Sequence, residues 1–255
     1  MAIDRTDPPH PPSALIIVRS ALAYALMLAN AVLSATHLFV VLRRQPLAER
    51  LAAQGRMAAR TRVILATVCG LKCVVEGAEH LPEPPYVILS KHQSSYETLV
   101  FPCLFPPFVW VLKESLVQVP FLGWALARLG PIAIDRRSPR RALRQVIEDG
   151  ATRLRNGICV LVFPEGTRFA PGTAGRYRVS GAALAQRGDV AIVPVAIDTG
   201  CYWEAYGFSI RPGVTTVRIG APIRPDQMHG ENAAAIMTEA RERIESMVLE
   251  MPKQG

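Results

Sequence analysis

The sequence predicts an α/β fold: a mostly parallel, mixed sheet of about seven strands wrapped by helices, preceded by an N-terminal membrane-associated helical segment. The chain has 255 residues, of which 50% are hydrophobic and 20% charged, and this amount of apolar surface suits one globular core. Beyond residue 70, short β-branched runs alternate with longer helix-like stretches, which is typical of a parallel sheet covered by helices. We therefore predict an N-terminal membrane-anchoring helical region over residues 1–70 and an α/β domain over residues 71–255.

The N-terminal region contains an apolar run long enough to meet a membrane. Residues 20–42 are uncharged, and a helix of that length, rising about 1.5 Å per residue, reaches across a hydrocarbon layer of about 30 Å. Arg43 and Arg44 follow the run where a cleavable signal peptide would carry small residues, so we expect the segment to be retained. Residues 46–70 have the pattern of a basic amphipathic helix at a lipid interface. A membrane-crossing helix, a hairpin within one leaflet and a buried helix of a soluble domain remain open.

The charge of the chain favours anionic partners. The formal net charge is +8, and a basic surface attracts nucleic acid, anionic lipid or phosphorylated substrates. Nine basic residues stand against three acidic ones in residues 1–75, around the apolar run, which favours an anionic membrane surface. Trp110, Trp124 and Trp203 are not interleaved with basic residues, as stacking platforms for nucleic acid are. We therefore expect no nucleic-acid partner.

The five cysteines indicate neither a disulfide framework nor a metal site. They are odd in number, include no C-x-x-C pair and lie mostly in apolar runs, so we expect buried free thiols in a reducing compartment.

Seven apolar runs predict the strands of the sheet. They are residues 71–75, 86–89, 108–112, 131–134, 158–163, 190–196 and 217–219. Residues 140–155 and 232–249 predict two of the covering helices. In open sheets of this kind, ligands bind beyond the carboxyl ends of the strands, so the candidate functional residues are those that follow each strand.

A histidine and a glutamate follow the second predicted strand, as His92-x4-Glu97. Five residues turn two side chains about 140° apart on a continuous helix, so the pair meets only if His92 precedes the helix. Residues 94–97, Ser-Ser-Tyr-Glu, match a capping box that starts the helix at Ser94. A carboxylate on one imidazole nitrogen fixes the tautomer and leaves the other nitrogen to act as a general base. The alternative is that Glu97 only caps the helix and His92 is an ordinary surface or core histidine.

Basic residues follow three other strands. Residues 163–168 read Phe-Pro-Glu-Gly-Thr-Arg, a turn that ends in a guanidinium suited to a phosphate monoester. Residues 135–141 form a second basic run, and Lys113 closes a further strand. We select Arg136 and Arg168 as the better candidates for substrate, because the remaining arginines of the run suit a solvated or lipid-facing surface.

These segments resemble, in order, the four sequence blocks of the glycerolipid acyltransferases, most closely the bacterial 1-acylglycerol-3-phosphate acyltransferases. The blocks are His92-x4-Glu97, Gly-Pro-Ile-Ala-Ile-Asp-Arg at 130–136, Phe-Pro-Glu-Gly-Thr-Arg at 163–168 and Ile-Val-Pro-Val-Ala at 192–196. The resemblance covers about residues 71–222, so that the second region is expected to be the acyltransferase domain. The common form of the first block ends in Asp, and the Glu97 of this chain leaves the identity of the acceptor open.

The resemblance implies transfer of a fatty acyl group from acyl-CoA or acyl carrier protein to the sn-2 hydroxyl of lysophosphatidate, giving phosphatidate, with no metal or bound cofactor. It implies that His92 removes the hydroxyl proton, that Glu97 orients His92, and that no acyl-enzyme forms. The expected substrate-binding residues are Lys113, Arg136, Glu165, Gly166, Thr167, Arg168 and Pro194. Backbone N–H groups near the first block are expected to stabilise the oxyanion.

The resemblance also implies a role for the N-terminal region, because the expected acceptor is a lipid that lies in the bilayer. Relatives embed a pair of N-terminal helices in one leaflet, and Gln45-Pro46 is the expected turn between such helices. Because both acyl donors are cytoplasmic, the resemblance implies a bacterial inner (cytoplasmic) membrane protein whose catalytic domain faces the cytoplasm. The alternatives are acylation of another lysolipid, such as a lyso-ornithine lipid or lipid A precursor, and a non-enzymatic peripheral lipid-binding module.

Overall fold

The computed structural model describes residues 12–251; Asp4, Arg5 and Asp7, which belong to the N-terminal charge count, lie outside the described residues. The helices are α1 (Ala14–Val40), α2 (Leu47–Ile64), α3 (Tyr96–Val100), α4 (Leu122–Arg128), α5 (Pro139–Arg155), α6 (Ser180–Gly188), α7 (Pro225–Met228) and α8 (Ala233–Glu250). The strands are β1 (Leu71–Glu76), β2 (Val87–Ser90), β3 (Phe108–Lys113), β4 (Ile132–Ile134), β5 (Cys159–Val162), β6 (Ile192–Ile197) and β7 (Gly213–Ile219).

The strands form one seven-stranded sheet in the order β1-β7-β6-β2-β5-β3-β4. Neighbouring strands are parallel except β6 and β7, which are antiparallel. The predicted mostly parallel, mixed sheet is therefore confirmed. Every residue of the central strands β2, β5 and β6 is buried, which explains why these strands read as continuous apolar runs instead of alternating ones.

Strand β7 begins four residues before the predicted run. Its first half contains Thr215 and Thr216, whose polar character hides the strand from a search for apolar residues. Both threonines donate to the Asp198 carboxylate, through Thr215 Oγ1 and the Thr216 N–H, each at 2.8 Å. A polar side chain is tolerated in a buried strand when it is hydrogen-bonded in this way.

The strand order sets the position of the functional residues. Strand β2 lies between β6 and β5, and all three run in the same direction. The segments that follow them therefore leave the sheet at one edge, side by side. Strands β3 and β4 continue the same row beyond β5.

Helices α1 and α2 form a hairpin that reverses at residues 41–46, where the sequence predicts the turn. Helix α1 begins earlier than the uncharged run and includes Arg19, because Ser13 caps it by accepting from the Ile16 N–H. Helix α2 ends at Ile64 and passes into one π-helical turn. Helical structure therefore covers residues 47–69, as predicted for residues 46–70, and its position at a lipid interface stays a prediction.

The two long sides of α1 differ in their environment. Buried residues recur three or four positions apart on one side, at Ser20, Ala23, Met27 and Asn30. Exposed apolar residues run along the helix elsewhere, namely Leu15, Val18, Leu22, Leu26, Leu33 and Val40. By length and composition α1 is the one helix of the described chain that meets the requirements for a membrane span.

Helix α1 lies across the α/β domain, because it contacts the domain near both ends. Near its start, Ser20 Oγ accepts from the Ile210 N–H at 2.9 Å. At its end, the Arg128 guanidinium of α4 lies 5.0 Å from the centre of the Phe39 ring. At about 1.5 Å per residue, these contacts are about 28 Å apart along the axis.

The hairpin is packed against the rest of the chain. The buried side of α2, which includes Leu51 and Ala58, contacts α1 and the short turn Phe101–Cys103. Leu38, Leu42 and Leu51 belong to the same apolar cluster as the sheet. The division of the chain at residue 70 stays a prediction. All five cysteines are free, but only Cys69 and Cys159 are buried, so the expectation of five buried thiols is only partly met.

Candidate active site

The structure brings His92 and Glu97 into direct contact. His92 Nδ1 and Glu97 Oε2 are 2.7 Å apart, and both residues are buried. His92 lies in the loop after β2, outside the helix, as the spacing requires. The helix itself begins at Tyr96, two residues later than predicted, and the Tyr96 N–H donates to Ser94 Oγ at 2.9 Å. Half of the predicted capping box is therefore present: the Ser94 N–H donates to Glu97 Oε2 at 2.9 Å, whereas Ser94 Oγ accepts from Tyr96 and not from Glu97.

The Glu97 carboxylate is surrounded by five donors. Its Oε2 accepts from His92 Nδ1, from the Gln93 N–H at 3.3 Å and from the Ser94 N–H at 2.9 Å. Its Oε1 accepts from Ser94 Oγ at 3.2 Å and from Thr199 Oγ1. Glu97 thus ties down the start of α3 and also holds the imidazole, so the two alternatives posed by the sequence are not exclusive.

His92 is held through both its ring and its backbone. Its ring stacks on Phe163 with the ring centres 3.8 Å apart and an interplanar angle of 12°. The backbone N–H of His92 donates to Glu165 Oε2 at 3.4 Å, and the backbone carbonyl of His92 accepts from the Phe169 N–H at 2.9 Å. Within residues 12–251, Nε2 has no hydrogen-bond partner, and the side chain keeps 11% of its surface exposed. One ring nitrogen is therefore held, and the other is available.

Sequence reasoning missed Thr199 and the stacking position of Phe163. Thr199 follows β6 and Phe163 follows β5, and these strands flank β2, so both residues reach His92 and Glu97 from neighbouring strand ends. The segment after β6 makes a second contact with the loop after β2, where the Gly200 N–H donates to Gln93 Oε1 at 3.1 Å. The signal that could have found Thr199 is the pair of polar residues, Asp198 and Thr199, that directly follows the end of β6 at Ile197.

The loop after β5 turns sharply at Gly166. Its N–H donates to the Phe163 carbonyl at 3.0 Å, and its φ of +73° lies in the region that favours glycine. A Cβ at this position would lie 3.4 Å from Arg178 Nε. The turn thus brings the Arg178 guanidinium close to the backbone of the loop.

Arg168 and Thr167 lie under Tyr206. Arg168 Nη1 donates to the Ala205 carbonyl at 2.8 Å, and its guanidinium carbon is 5.8 Å from the centre of the Tyr206 ring. Thr167 Oγ1 and the Tyr206 hydroxyl are 3.4 Å apart. The loop after β5 and the segment before β7 are thereby joined beside His92.

Arg136 lies close enough to Arg178 and Tyr206 to feel the charge of both. We call Arg136, Arg168 and Arg178 the guanidinium cluster. Partial desolvation, followed by the positive charge of Arg178, lowers the pKa of Arg136 below its usual value, while the nearby Tyr206 acts in the opposite direction. Among the described residues, Arg136, Arg168 and Arg178 form no ion pair with a carboxylate. Three guanidinium groups without acidic partners suit a dianionic phosphate, which would relieve their mutual repulsion.

Glu165 points into the protein. Its side chain is fully buried, and its carboxylate accepts from Lys91 Nζ at 3.3 Å, from the Gly175 N–H at 2.8 Å and from the His92 N–H. Lys91 also contacts Glu245 of α8 at 2.8 Å. The geometry makes Glu165 a support for the His92 backbone, and the predicted contact of Glu165 with substrate stays a prediction.

Two other predicted substrate-binding residues lie in the strands themselves. Lys113 is exposed at the end of β3 and pairs with Ile134 of β4, two residues before Arg136. Pro194 is buried inside β6 beside Leu89, below the edge that carries the candidate site. Substrate binding by both residues stays a prediction.

The expected oxyanion donors are engaged elsewhere. The N–H groups of His92, Gln93 and Ser94 all donate to glutamate carboxylates. The expectation that N–H groups of this block stabilise an oxyanion is therefore not met at these three residues, because the carboxylates of Glu97 and Glu165 compete for the same donors. Within residues 12–251, no group of three or more His, Cys, Asp or Glu residues suits a metal ion, and independence from a cofactor stays a prediction.

Comparisons with known proteins agree with this geometry. Residues 72–198 match the family model "Acyltransferase". The chain is 39% identical over 234 residues to the 1-acyl-sn-glycerol-3-phosphate acyltransferase of Pseudomonas aeruginosa, covering 91% of this chain and 90% of that protein. It is 30% identical over 186 residues to the Saccharomyces cerevisiae enzyme of the same name, covering 71% of this chain and 61% of that protein.

The fold has a counterpart among solved structures. The crystal structure of the 1-acyl-sn-glycerophosphate acyltransferase PlsC from Thermotoga maritima matches with a TM-score of 0.71 at 23% identity, covering 92% of this chain and 99% of that one. At this identity the likeness concerns the fold. Together with the Pseudomonas match, which runs almost the full length of both chains, it leads to one conclusion: this chain belongs to the acyltransferase family that includes the 1-acyl-sn-glycerol-3-phosphate acyltransferases.

Proposed function

We propose that this chain transfers a fatty acyl group from acyl-CoA or acyl carrier protein to the sn-2 hydroxyl of lysophosphatidate, forming phosphatidate. The observation that carries the proposal is the His92–Glu97 contact of 2.7 Å, which leaves Nε2 available. It is supported by three guanidinium groups on the loops after β4 and β5, which have no acidic partner in the described chain. An alcohol that carries a phosphate needs both a base and a cationic anchor. The names of the relatives supply the substrate class.

In the proposed reaction, Glu97 keeps the proton on His92 Nδ1, so that the lone pair of Nε2 faces the substrate hydroxyl. Nε2 takes the hydroxyl proton as the oxygen attacks the thioester carbonyl. The carbon–sulfur bond then breaks, the thiolate leaves, and the proton passes from Nε2 to the sulfur. The products are phosphatidate and a free thiol, and no bond to the protein forms.

The guanidinium cluster has the matching task of holding the phosphate. Arg136 follows β4, whereas Arg168 and Arg178 lie ten residues apart on the loop after β5, so a phosphate bound among them is fixed in position as well as neutralised. Fixing the phosphate also fixes the adjacent glycerol hydroxyl relative to Nε2, and this positioning contributes to the rate.

We further propose that α1 lies in one leaflet of the bacterial inner membrane, with the α/β domain on the cytoplasmic side, where the acyl donors are found. The contacts near both ends of α1 support this arrangement. A helix fastened to one domain at points about 28 Å apart lies along the membrane surface, because crossing a layer of about 30 Å would separate those points. Its exposed apolar residues then meet the acyl chains.

The reaction is tested with purified protein in detergent, given lysophosphatidate and acyl-CoA, by measuring release of free thiol and formation of phosphatidate. The His92→Ala variant should lose at least about a hundredfold in turnover. His229→Ala is the matched control, since His229 is exposed and distant in sequence from the site, and it should retain the wild-type rate. A non-enzymatic lipid-binding module would release no thiol in either case.

The acceptor is tested in the same assay by replacing lysophosphatidate with lyso-ornithine lipid, a lipid A precursor or glycerol 3-phosphate. We expect lysophosphatidate to give the highest kcat/KM, because it pairs a phosphate monoester with a free secondary hydroxyl. A higher kcat/KM with a lyso-ornithine lipid, which has no phosphate, would contradict the task assigned to the guanidinium cluster.

A further inference from the structure

The connection between β3 and α4 exposes an unusual amount of apolar surface. We call residues 116–124 the aromatic loop. Phe121 is 77% and Trp124 55% exposed, and their ring centres are 5.1 Å apart. Leu116, Val119 and Leu122 of the same loop are exposed as well. A soluble surface gains nothing from an exposed aromatic pair among aliphatic side chains, so such a patch indicates a binding surface.

The backbone holds Phe121 outward. Its φ of +62° and ψ of −59° are costly for a residue with a side chain. The following helix is closely packed at its start, since a Cβ on Gly123 would lie 2.3 Å from the Val117 carbonyl oxygen. The loop is therefore a compact turn that presents its aromatic rings, and does not bury them.

Two guanidinium groups stand beside the aromatic loop. Arg50 Nη1 donates to the Arg128 carbonyl at 2.6 Å, while Arg50 Nε is buried without a partner. Arg128 lies over the Phe39 ring and donates to the Arg43 carbonyl at 3.4 Å. With Phe39, Trp124 and Ala127, these two arginines line an open crevice.

The charge of this crevice is not balanced by the described part of the protein. Arg50 and Arg128 form no ion pair there; of the acidic residues nearest to them along the chain, Glu49 forms none and Asp135 pairs with Arg137. A guanidinium with an unused donor next to an apolar surface suits the phosphate of a lipid whose acyl chains lie beside it.

The aromatic loop continues the exposed apolar side of α1. Helices α1 and α4 are in contact, and Val40 and Val41 at the end of α1 are exposed near Phe39. Aromatic side chains prefer the boundary between headgroups and acyl chains, where their rings are buried and their polar atoms stay hydrated. The occupant that fits both the charge and the continuity is a bilayer.

We propose that the aromatic loop, with Arg128 of α4 and Arg50 at the start of α2, is a second contact surface for an anionic phospholipid bilayer, adjoining the exposed apolar side of α1. Phe121 and Leu122 enter the boundary of the acyl chains, and the two guanidinium groups bind lipid phosphates. This surface rests on the proposed membrane attachment of α1, and it fixes the tilt of the domain about α1, which α1 alone leaves free.

Trp124 reports on this contact directly, because Trp110 and Trp203 are 6% and 2% exposed. When the full chain is mixed with vesicles of phosphatidylcholine and phosphatidylglycerol, the tryptophan emission should shift to shorter wavelength and be quenched by brominated acyl chains. Emission that does not change when the protein co-sediments with the vesicles would overturn the proposal.

The variants separate the loop from α1. Phe121→Ser combined with Trp124→Ser should weaken binding to these vesicles at least about tenfold, because two aromatic groups no longer leave water. Leu249→Ser, an equally exposed apolar position on α8, is the matched control and should bind as the wild type does. Arg128→Gln should reduce the preference for phosphatidylglycerol over pure phosphatidylcholine vesicles while the fold, followed by circular dichroism, is retained.

A parallel assay distinguishes failure of this proposal from failure of the proposed function. Turnover of a water-soluble, short-chain lysophosphatidate should be the same for the wild type and the double variant. Equal vesicle binding by the two proteins, with turnover intact, overturns the second surface alone. A wild-type dimer in detergent that the double variant converts to a monomer also overturns it, because the patch is then an interface between two copies of the chain.

Discussion

Two buried carboxylates lie on either side of His92, and they differ in where their hydrogen bonds lead. Glu97 binds the imidazole, whose other nitrogen is open to substrate. Glu165 binds the His92 N–H and Lys91, whose ammonium group leads to Glu245 in α8, inside the protein. Both carboxylates restrain the same histidine, one through its ring and the other through its backbone. In the mechanism that we propose, Glu97 therefore acts on the ring that transfers the proton, whereas Glu165 holds the backbone in place.

The largest expected effect is on turnover, from Glu97→Gln. Both partners of Oε1 are hydroxyl groups, those of Ser94 and Thr199, which can rotate to accept from an amide, while the new carbonyl oxygen keeps the Oε2 contacts. The fold should therefore be retained, but the negative charge beside the imidazole is lost. We expect kcat to fall about 10²- to 10⁴-fold, in line with the range for general base catalysis.

The control for Glu97→Gln is Glu239→Gln, a partly exposed carboxylate on α8 paired with Arg243, which should retain the wild-type kcat. Thermal unfolding of both variants is measured alongside. A Glu97→Gln enzyme with normal kcat would show that Glu97 only ties down the start of α3.

The second effect is on stability, from Lys91→Met. Removing the ammonium leaves Glu165 and Glu245 close together without a cation, in a region where Lys91 is fully buried. Breaking a buried pair by removing one partner costs about 3–5 kcal/mol. We expect the free energy of unfolding, measured with urea in detergent, to fall by that amount, with a smaller effect on the kcat of the folded fraction.

Lys72→Met on the exposed side of β1 is the matched control for Lys91→Met and should unfold as the wild type does. If Lys91→Met unfolded normally and lost its kcat, Lys91 would belong with the reacting groups, and the contrast between the two carboxylates would be wrong.

These two carboxylates also show what a single sequence can predict. The spacing of the residues and a break before α3, both local properties, allowed a contact between His92 and Glu97 and left open the alternative that Glu97 only caps the helix. The environment of Glu165 depends on Lys91, Gly175 and Glu245, which the loop after β2, the loop after β5 and α8 bring together only in the folded chain. Glu165 was therefore identified from the sequence as a candidate at a strand end. The sequence did not predict that its carboxylate points into the protein.

The same distinction applies to the fold. The central strands are buried on both sides and read as apolar runs, so their positions were predictable within a few residues. The start of β7 was not predictable, because it contains two buried threonines, which hydrogen-bond to Asp198 just after β6. Thr199 was missed for the same reason, since its partner Glu97 is 102 residues away along the chain.

The third effect is on substrate affinity, from Arg168→Ala. A charge-assisted hydrogen bond contributes about 1.5–3 kcal/mol, so the KM for lysophosphatidate should rise roughly tenfold to a hundredfold, with a smaller change in kcat. Arg137→Ala is the control, because Arg137 is almost fully exposed in the basic run and pairs with Asp135. Equal KM values for the two variants would place the phosphate elsewhere than beside the loop after β5.

The smallest effect is expected from Thr199→Val, which preserves the shape of the side chain but removes its donor to Glu97 Oε1. The carboxylate then keeps only the Ser94 hydroxyl on that oxygen and is freer to turn away from His92 Nδ1. Loss of one buried hydrogen bond costs about 1–1.5 kcal/mol, so kcat should fall about five- to tenfold with the KM for lysophosphatidate unchanged. Thr199→Ser retains the hydroxyl and should restore kcat. A structural defect alone would lower stability in both variants without this difference in kcat, so the pair decides whether the segment after β6 helps to orient the base through Glu97.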